Sequence, residues 1–598
     1  MRNYAATGCL RYDMFNMSNI KRQVACLLVL AAMFQGAVLA QTGAKKPGPH
    51  FRNAEKEYND QHYTNAIPLY HASLESGHAN DSLAMLHLAA CYWRIKRYDS
   101  ATVFYRRYEK QFTPLYTTHQ RLAELLAVQE QYDMAADTYH GLLNDVPLRN
   151  EKMLKERWQG FSDPTPFLRD SLDYQIRLLK LNTRQQDFSP QFFRGGLVFV
   201  SNRFSKKDDQ RKSGWDGLPY ANIFWVSDTV NLYAADAIAG VAVYQTNTSL
   251  KSNDGVADRT GIDNTIINFN RVSDDYSSDI YHLAKFGDDL NTKYNYGPLC
   301  FSANGNKVYF TRNSKKPFEG RYNLEICEAA YSRGAWTNIR VMPFVQPAYD
   351  FYHPALSKDG QTLFFCSNKP DGYGGSDVYY ISVADNAGDI QRTTPINAGE
   401  TVNTAGDELF PTIIDGELYY SSDGFAGLGG LDLFKTSLDA KGRWKKPKNL
   451  GYPLNTSFDD FGLILDQTKT KGYFTSNRLG SNDIFQFTHS PFVMELSGTV
   501  FNDADMHRLD SARILLSMID GNREEQLDSI FTDRNGKYHF QAKPNRDYRL
   551  VAIKEGFLTE EISFPLVAGT RAITELKPLL LAPVNASPAL VTKRQQVP

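Results

Sequence analysis

Thr362-Leu-Phe-Phe-Cys-Ser-Asn368 is an apolar run that ends in a small polar turn, and the chain repeats this pattern five times. The other copies are Leu197-Val-Phe-Val-Ser-Asn-Arg203, Lys307-Val-Tyr-Phe-Thr-Arg-Asn313, Glu417-Leu-Tyr-Tyr-Ser-Ser-Asp423 and Gly472-Tyr-Phe-Thr-Ser-Asn-Arg478. Short runs rich in β-branched and aromatic residues, bounded by polar turns, read as strands. A second short strand follows each, at Asn222-Ile-Phe224, Asn323-Leu-Glu325, Asp377-Val-Tyr379, Asp432-Leu-Phe434 and Asp483-Ile-Phe485. Over the last four copies its leading residue recurs at spacings of 54, 55 and 51. Pro298, Pro354 and Pro411 recur before the first strand, and Leu290-Asn-Thr292, Val402-Asn-Thr404 and Leu454-Asn-Thr456 link the units. Such a repeat predicts four-stranded blades around an axis over residues 189–490. A segment at 228–284 interrupts the first copy and closes with Ser278-Asp-Ile-Tyr281, itself like a second strand. It reads as a surface insertion, with a degenerate sixth blade as the alternative.

Upstream, over 51–147, the period is helical. Tyr63-x-x-Ala66-x-x-x-Tyr70 returns as Tyr98-x-x-Ala101-x-x-x-Tyr105 and Tyr132-x-x-Ala135-x-x-x-Tyr139, which sets the alanines 35 and 34 residues apart. That is the period of tetratricopeptide repeats. Small Ala66, Ala101 and Ala135 let paired helices approach closely while the rings fill the gaps beside them, and Ala54, Ala89 and Ala123 match them in the first helices. These residues are read as packing, with function expected on the groove that stacked helices leave open. Residues 148–188 read as a helical transition, with a periodic helical stretch from Phe167 to Leu181.

Downstream, Asn304-Gly-Asn-Lys-Val-Tyr-Phe310, Lys358-Asp-Gly-Gln-Thr-Leu-Phe-Phe365 and Ser476-Asn-Arg-Leu-Gly-Ser-Asn-Asp-Ile-Phe485 resemble the TolB-type, WD-repeat-like β-propeller motif, as do Gly374-Gly-Ser-Asp377 and Gly429-Gly-Leu-Asp432. Residues 493–566, with Ser497-Gly-Thr-Val500, Ser511-Ala-Arg-Ile514, Thr532-Asp-Arg-Asn-Gly-Lys-Tyr538 and Tyr548-Arg-Leu-Val-Ala552, resemble the carboxypeptidase regulatory-like, transthyretin-like β-sandwich. The proline-bearing tail 567–598 reads as a linker or disordered end. The fold class expected is therefore multidomain: an α-helical solenoid, an all-β propeller of five recognisable blades or six, and a small β-sandwich. In that order the three resemble the PorE-type, OmpA-like family proteins of the type IX secretion system. The resemblance implies a periplasmic, outer-membrane-associated scaffold. That family adds a C-terminal OmpA-like domain that grips peptidoglycan, and here only the tail stands in its place, so the anchor is not carried over.

Lys21-Arg22, the apolar run Val24–Phe34 and small residues at Val38 and Ala40 read as an export signal over 1–40 with its start at Met17. A formal net charge of -1 over 598 residues, with no long basic run, argues against nucleic acid. No segment after the signal has the apolar length of a spanning helix. Beyond the signal, Cys91, Cys300, Cys327 and Cys366 have neither a disulfide-framework nor a zinc spacing, and the last three fall in strands as small hydrophobes.

Chemistry is sparse. The chain contains no Gly-x-Ser-x-Gly, His-Glu-x-x-His, Cys-x-x-Cys or phosphate loop, and no metal or cofactor is expected. Asp377, Asp432 and Asp483 admit two readings: turn-closing residues demanded in every blade, or carboxylates aimed at a common axis for glycan chemistry. Arg203, Arg312, Arg478 and Tyr373 are candidate partner contacts, with salt bridges between blades as the other use of the Ser-Asn-Arg arginines. The leading expectation is a non-catalytic adaptor for outer-membrane or periplasmic proteins, among them an OmpA-like peptidoglycan-binding protein. The alternative is a carbohydrate-binding or glycan-processing propeller.

Overall fold

The computed structural model describes residues 47–76, 81–113, 115–144, 150–203, 211–227, 229, 232, 283–383, 394–521, 523–568 and 573–584. Residues 1–40, read as an export signal, Ser278–Tyr281 with most of 228–284, and the end of the tail lie outside them. The chain divides into two compact units, one of residues up to Thr113 with Gly214–Asp216, the other of the remainder.

The first unit holds two helix pairs, α1 (Pro49–Asn59) with α2 (Tyr63–Glu75) and α3 (Asp81–Arg94) with α4 (Tyr98–Gln111). Ala54, Ala66, Ala84 and Leu88 are fully buried between rings such as Tyr70 and Phe51. The turn inside each pair is the same. Gln61 and Lys96 take left-handed φ values of 62° and 61°, and the next N–H reaches back five residues, His62 to Glu57 and Arg97 to Tyr92. That closure satisfies helix-end carbonyls and reverses the chain. Trp215 lies edge-on to Tyr63 at 4.8 Å and donates to the Arg94 carbonyl at 3.3 Å.

The second unit opens with a third pair, α5 (Tyr116–Val128) and α6 (Tyr132–Leu142), whose turn repeats the geometry at Glu130, φ 59°. Helix α7 (Glu151–Ser162) and the short α8 (Thr165–Leu168) follow. The helical stretch expected over Phe167–Leu181 is corrected here: Tyr174–Leu178 is a strand, β1, paired with a partner more than 300 residues later. Local periodicity misreads such a segment because its alternation is satisfied only by a distant neighbour.

Five four-stranded antiparallel sheets come next. They are β2 (Asp187–Phe193) to β5 (Leu283–Lys285), β6 (Tyr296–Phe301) to β9 (Ala335–Val341), β10 (Phe351–Leu356) to β13 (Ile396–Asn397), β14 (Glu408–Ile414) to β17 (Lys448–Asn449), and β18 (Asp460–Leu465), β19 (Lys471–Ser476), β20 (Asp483–His489) with β1. The first strands β2, β6, β10, β14 and β18 touch in cyclic order, so the sheets form a closed ring. A separate apolar core fills each of the five gaps between neighbours. Each sheet is therefore buried on both faces, which is why its middle strands read as unbroken apolar runs. On β3 (Gly196–Ser201), Val198 and Val200 enter the gap toward the second sheet, and Leu197 and Phe199 the gap toward the fifth.

The recurrent prolines sit within the first strands rather than before them. Pro190, Pro298, Pro354 and Pro411 all fall where the pairing of first and second strands shifts register. A bulge is where a strand tolerates a residue with no N–H. The residue before three of them takes a left-handed φ: Ser189 at 53°, His353 at 54° and Phe410 at 52°. The rings of His353, Phe410 and Phe461 stack in succession at 3.8 and 4.4 Å across three adjacent first strands.

The C-terminal part is a sandwich of two sheets. One is β24 (Lys537–Ala542), β21 (Met494–Asn502) and the short β27 (Ile573–Glu575) and β28 (Leu579–Leu581), which corrects the reading of 567–598 as a linker or disordered end, since both short strands pair in parallel with β21; the other is β23 (Arg523–Phe531), β22 (Arg513–Asp520), β25 (Arg546–Ile553) and β26 (Glu560–Leu566). Leu496, Val500, Ile514, Leu516, Tyr538 and Leu550 fill its core. Asp170 joins it to the ring's closing segment by ion pairs to Lys543 and Arg546 at 3.3 and 2.5 Å.

Candidate functional site

Carboxylates concentrate where the loops after each second strand meet the linkers between sheets. A repeated linker builds this face. Asn182, Asn291, Asn403 and Asn455 each accept from the N–H and donate to the C=O of neighbouring third-strand backbone: Asn182 at Ile484, Asn291 at Ile223, Asn403 at Val378 and Asn455 at Leu433. The threonine that follows binds a residue four positions on: Thr183 to Asp187, Thr404 to Glu408 and Thr456 to Asp460, through both backbone N–H and hydroxyl. In the second sheet Tyr296 replaces the acid and receives the same two contacts from Thr292.

Arg203 and Arg478, candidates for partner contact, are instead buried. Arg203 pairs with Asp187 at 2.6 Å and bonds the Leu181 carbonyl; Arg478 pairs with Asp460 at 2.6 Å and bonds the Pro453 and Leu454 carbonyls. Both bridges lie within one sheet and its entering linker, not between sheets as expected. The fourth repeat lacks the cation because Gly424 stands in the arginine's place, and a Cβ there would lie 1.8 Å from Thr404 Oγ1. Buried Glu408 therefore keeps only hydroxyl and amide donors, and burial raises its pKa to about 8.

The recurrent aspartates hold turns. Asp377 accepts from the N–H groups of Tyr373 and Gly374 at 2.6 and 3.1 Å and from Asn397 at 2.7 Å. Asp432 accepts from Leu428 N–H at 2.7 Å and Asn449 at 3.0 Å, and Asp483 from the Ser481 hydroxyl at 3.1 Å. All three are buried, as are Ala66, Ala101 and Ala135. Arg312 is half-buried between Glu325 at 2.9 Å and the Tyr294 ring at 4.1 Å. Tyr373, 41% exposed, is the most open of the four partner candidates.

Sequence reasoning missed Arg157. It projects from α7, is 2% exposed, donates to the Gly429 carbonyl and lies within hydrogen-bonding contact of Tyr139. Asp423, Asp432 and Tyr139 surround it electrostatically; burial raises Asp423 and Asp432 to about 7, the neighbouring Asp407 adding to the shift at Asp423. Ala405 packs into the core of α5 to α7, and a Cβ on Gly160 would meet Gly427 N at 2.9 Å, so helix and loop approach backbone to backbone. The only sequence signal was an arginine and a glycine on one helical stretch. The glycine-rich loop it meets was visible only as a turn.

Among the described residues no group of His, Cys, Asp and Glu could hold a metal ion. The four described cysteines are free and buried, with Cys91, Cys300 and Cys327 pushed up to about 12 by burial, so they behave as apolar thiols.

No family model and no curated protein matches the chain. Among solved structures it is similar to a Mycobacterium tuberculosis puromycin-hydrolyzing peptidase, at 11% identity and TM-score 0.26 over 49% of this chain and 34% of that one. It is also similar to Pseudomonas aeruginosa periplasmic gluconolactonase, at 10% identity and TM-score 0.25, over 64% and 85%. A β-xylosidase gives 9% identity and TM-score 0.28, over 53% and 94%. The chain spans about a third of the peptidase's length. Likenesses this distant carry no argument about activity.

Proposed function

We propose that this chain is a non-catalytic scaffold of the bacterial envelope, built from tetratricopeptide repeats, a five-bladed TolB-like β-propeller and a carboxypeptidase regulatory-like sandwich. It is exported and works in the periplasm beside the outer membrane, holding proteins of a type IX-like secretion system or of the OmpA-like class. The observation that carries this reading is the use of the recurrent carboxylates. Asp377 and Asp432 accept backbone N–H groups of their own loops, a turn-closing duty that accounts for the recurrent acid at this position, shared by three of the five repeats, without assigning it substrate. Three architectures that present surfaces rather than reaction centres agree with it.

The test is cross-linking in the native cell, purification of the tagged chain and mass spectrometry of what accompanies it. Recovery of outer-membrane secretion or OmpA-like proteins is the expected result. Recovery of the chain alone, together with glycan turnover that Asp377→Asn, Asp432→Asn or Asp483→Asn abolishes, would overturn the scaffold in favour of a glycan-processing propeller.

A further inference from the structure

The sandwich carries a free sheet edge that the scaffold reading does not use. Strand β23 is nine residues long and, among the described residues, is the outermost strand of its sheet, paired on one side only, with β22. It is exposed over most of its length, with Leu527 45% and Phe531 66% exposed. A long strand edge with unmatched backbone donors and acceptors is a template for another strand, and proteins ordinarily shorten or block such edges. The ring does so: β5, β13 and β17, the outer strands of three of its sheets, are only two or three residues long. The opposite edge of the sandwich sheet, β26, contains Pro565, which cannot donate.

The chemistry of β23 selects what would pair with it. Arg523-Glu524-Glu525-Gln526-Leu527-Asp528-Ser529-Ile530-Phe531 holds three acids and one arginine. Glu524 shares Arg549 with Glu561, and Asp528 accepts the N–H of Ser529. Like charges brought together across a pair of strands are destabilising, so the edge disfavours a second copy of itself and favours an oppositely charged strand. The outer strand β9 of the second sheet, Ala335–Val341, carries Arg340 and no acid, so it presents no acidic edge to a basic segment.

We propose that β23 is a docking edge that takes an extended, basic peptide segment of a partner protein by strand addition. Main-chain hydrogen bonds supply the affinity, Glu525 and Asp528 select lysine or arginine, and Leu527 with Phe531 receive apolar residues between them. The assignment stands whether or not the helix pairs or the ring bind anything.

The probe is a fluorescein-labelled peptide, Lys-Val-Lys-Val-Lys-Val-Lys, followed by fluorescence polarisation against the full chain. Its controls are the same peptide N-methylated at alternate residues, which keeps charge and removes donors, and the Glu-for-Lys counterpart. We expect at least tenfold weaker binding for both controls and for the double variant Glu525→Lys, Asp528→Lys, whose fold is checked by circular dichroism and thermal melting. Equal binding of the N-methylated peptide would reduce the effect to surface electrostatics and overturn strand addition. Equal binding by a folded double variant would place the site elsewhere. Sedimentation that shows a dimer lost in the double variant would make a second copy the occupant, and would equally overturn the proposal.

Discussion

The side chain of Asn455 grips the backbone of Leu433 from both sides, accepting its N–H at 2.7 Å and donating to its carbonyl at 3.0 Å. The two residues belong to a linker and to β16 (Asp432–Ser437), so the amide mimics a missing strand where one sheet hands over to the next. Its N–H also bonds Asn449 at 2.7 Å. Asn455→Leu keeps the volume and strands two buried backbone groups, each costing about 1–3 kcal/mol. We expect a loss of about 2–6 kcal/mol in urea unfolding, and an unchanged midpoint for Asn455→Leu would show that the side chain does not satisfy these groups.

The buried carboxyls predict a pH dependence. Glu408 at about 8 and Asp432 at about 7 bind protons more tightly folded than unfolded, so their stabilisation is full below the unfolded values and is lost as pH rises through the folded ones. His353, lowered to about 3 by burial, acts oppositely, its contribution disappearing as pH falls from about 6.5 toward 3. Between pH 6.5 and 9 the carboxyls act unopposed by His353. Stability should fall by a few kcal/mol across that window, and Glu408→Gln should flatten the slope in denaturant titrations at each pH.

Arg157 lies near Asp423 and Asp432, whose charge changes with pH, so its removal should be felt unequally. Arg157→Met preserves most of the packing against Phe161, over which the guanidinium lies at 4.7 Å, but withdraws the cation near Asp423 and Asp432. The expected loss is about 3–5 kcal/mol at pH 8, the range for breaking a buried charge arrangement, and less at pH 6. Limited proteolysis over 115–162 should accelerate in parallel. An equal loss at both pH values would show that packing alone matters.

Gln61 holds a left-handed φ of 62° at the turn between α1 and α2, which costs a residue with a Cβ about 1–2 kcal/mol. Gln61→Gly relieves that strain at a smaller entropic cost from the unfolded chain. A gain of about 0.5–1 kcal/mol is expected, read as a higher Tm of the helical unit, whereas Gln61→Val should lower it.

Much of the architecture was written in local pattern. The alanine spacing 66, 101, 135 located the helix pairs, the five apolar runs became the second strands of five sheets, and the acids at 377, 432 and 483 open third strands. These were legible because helix turns and hairpins are closed by residues near one another in sequence, where periodicity and turn chemistry decide the conformation. Tertiary structure alone decided the rest. That Tyr174–Leu178 is a strand depends on Phe485–His489 lying beside it. That Pro354 sits inside a strand depends on a bulge whose His353 N–H reaches Thr311 in the preceding sheet. Arg203 and Arg478 face inward because a carboxylate and carbonyls of their own sheet and its entering linker replace the water they would otherwise keep, Arg157 because it meets a loop 272 residues later, and burial without a cation beside it raises the pKa of Glu408. A sequence records which groups are charged. Only the packed chain sets what surrounds them, and burial and partners determine whether a charge is displayed, paired or neutralised.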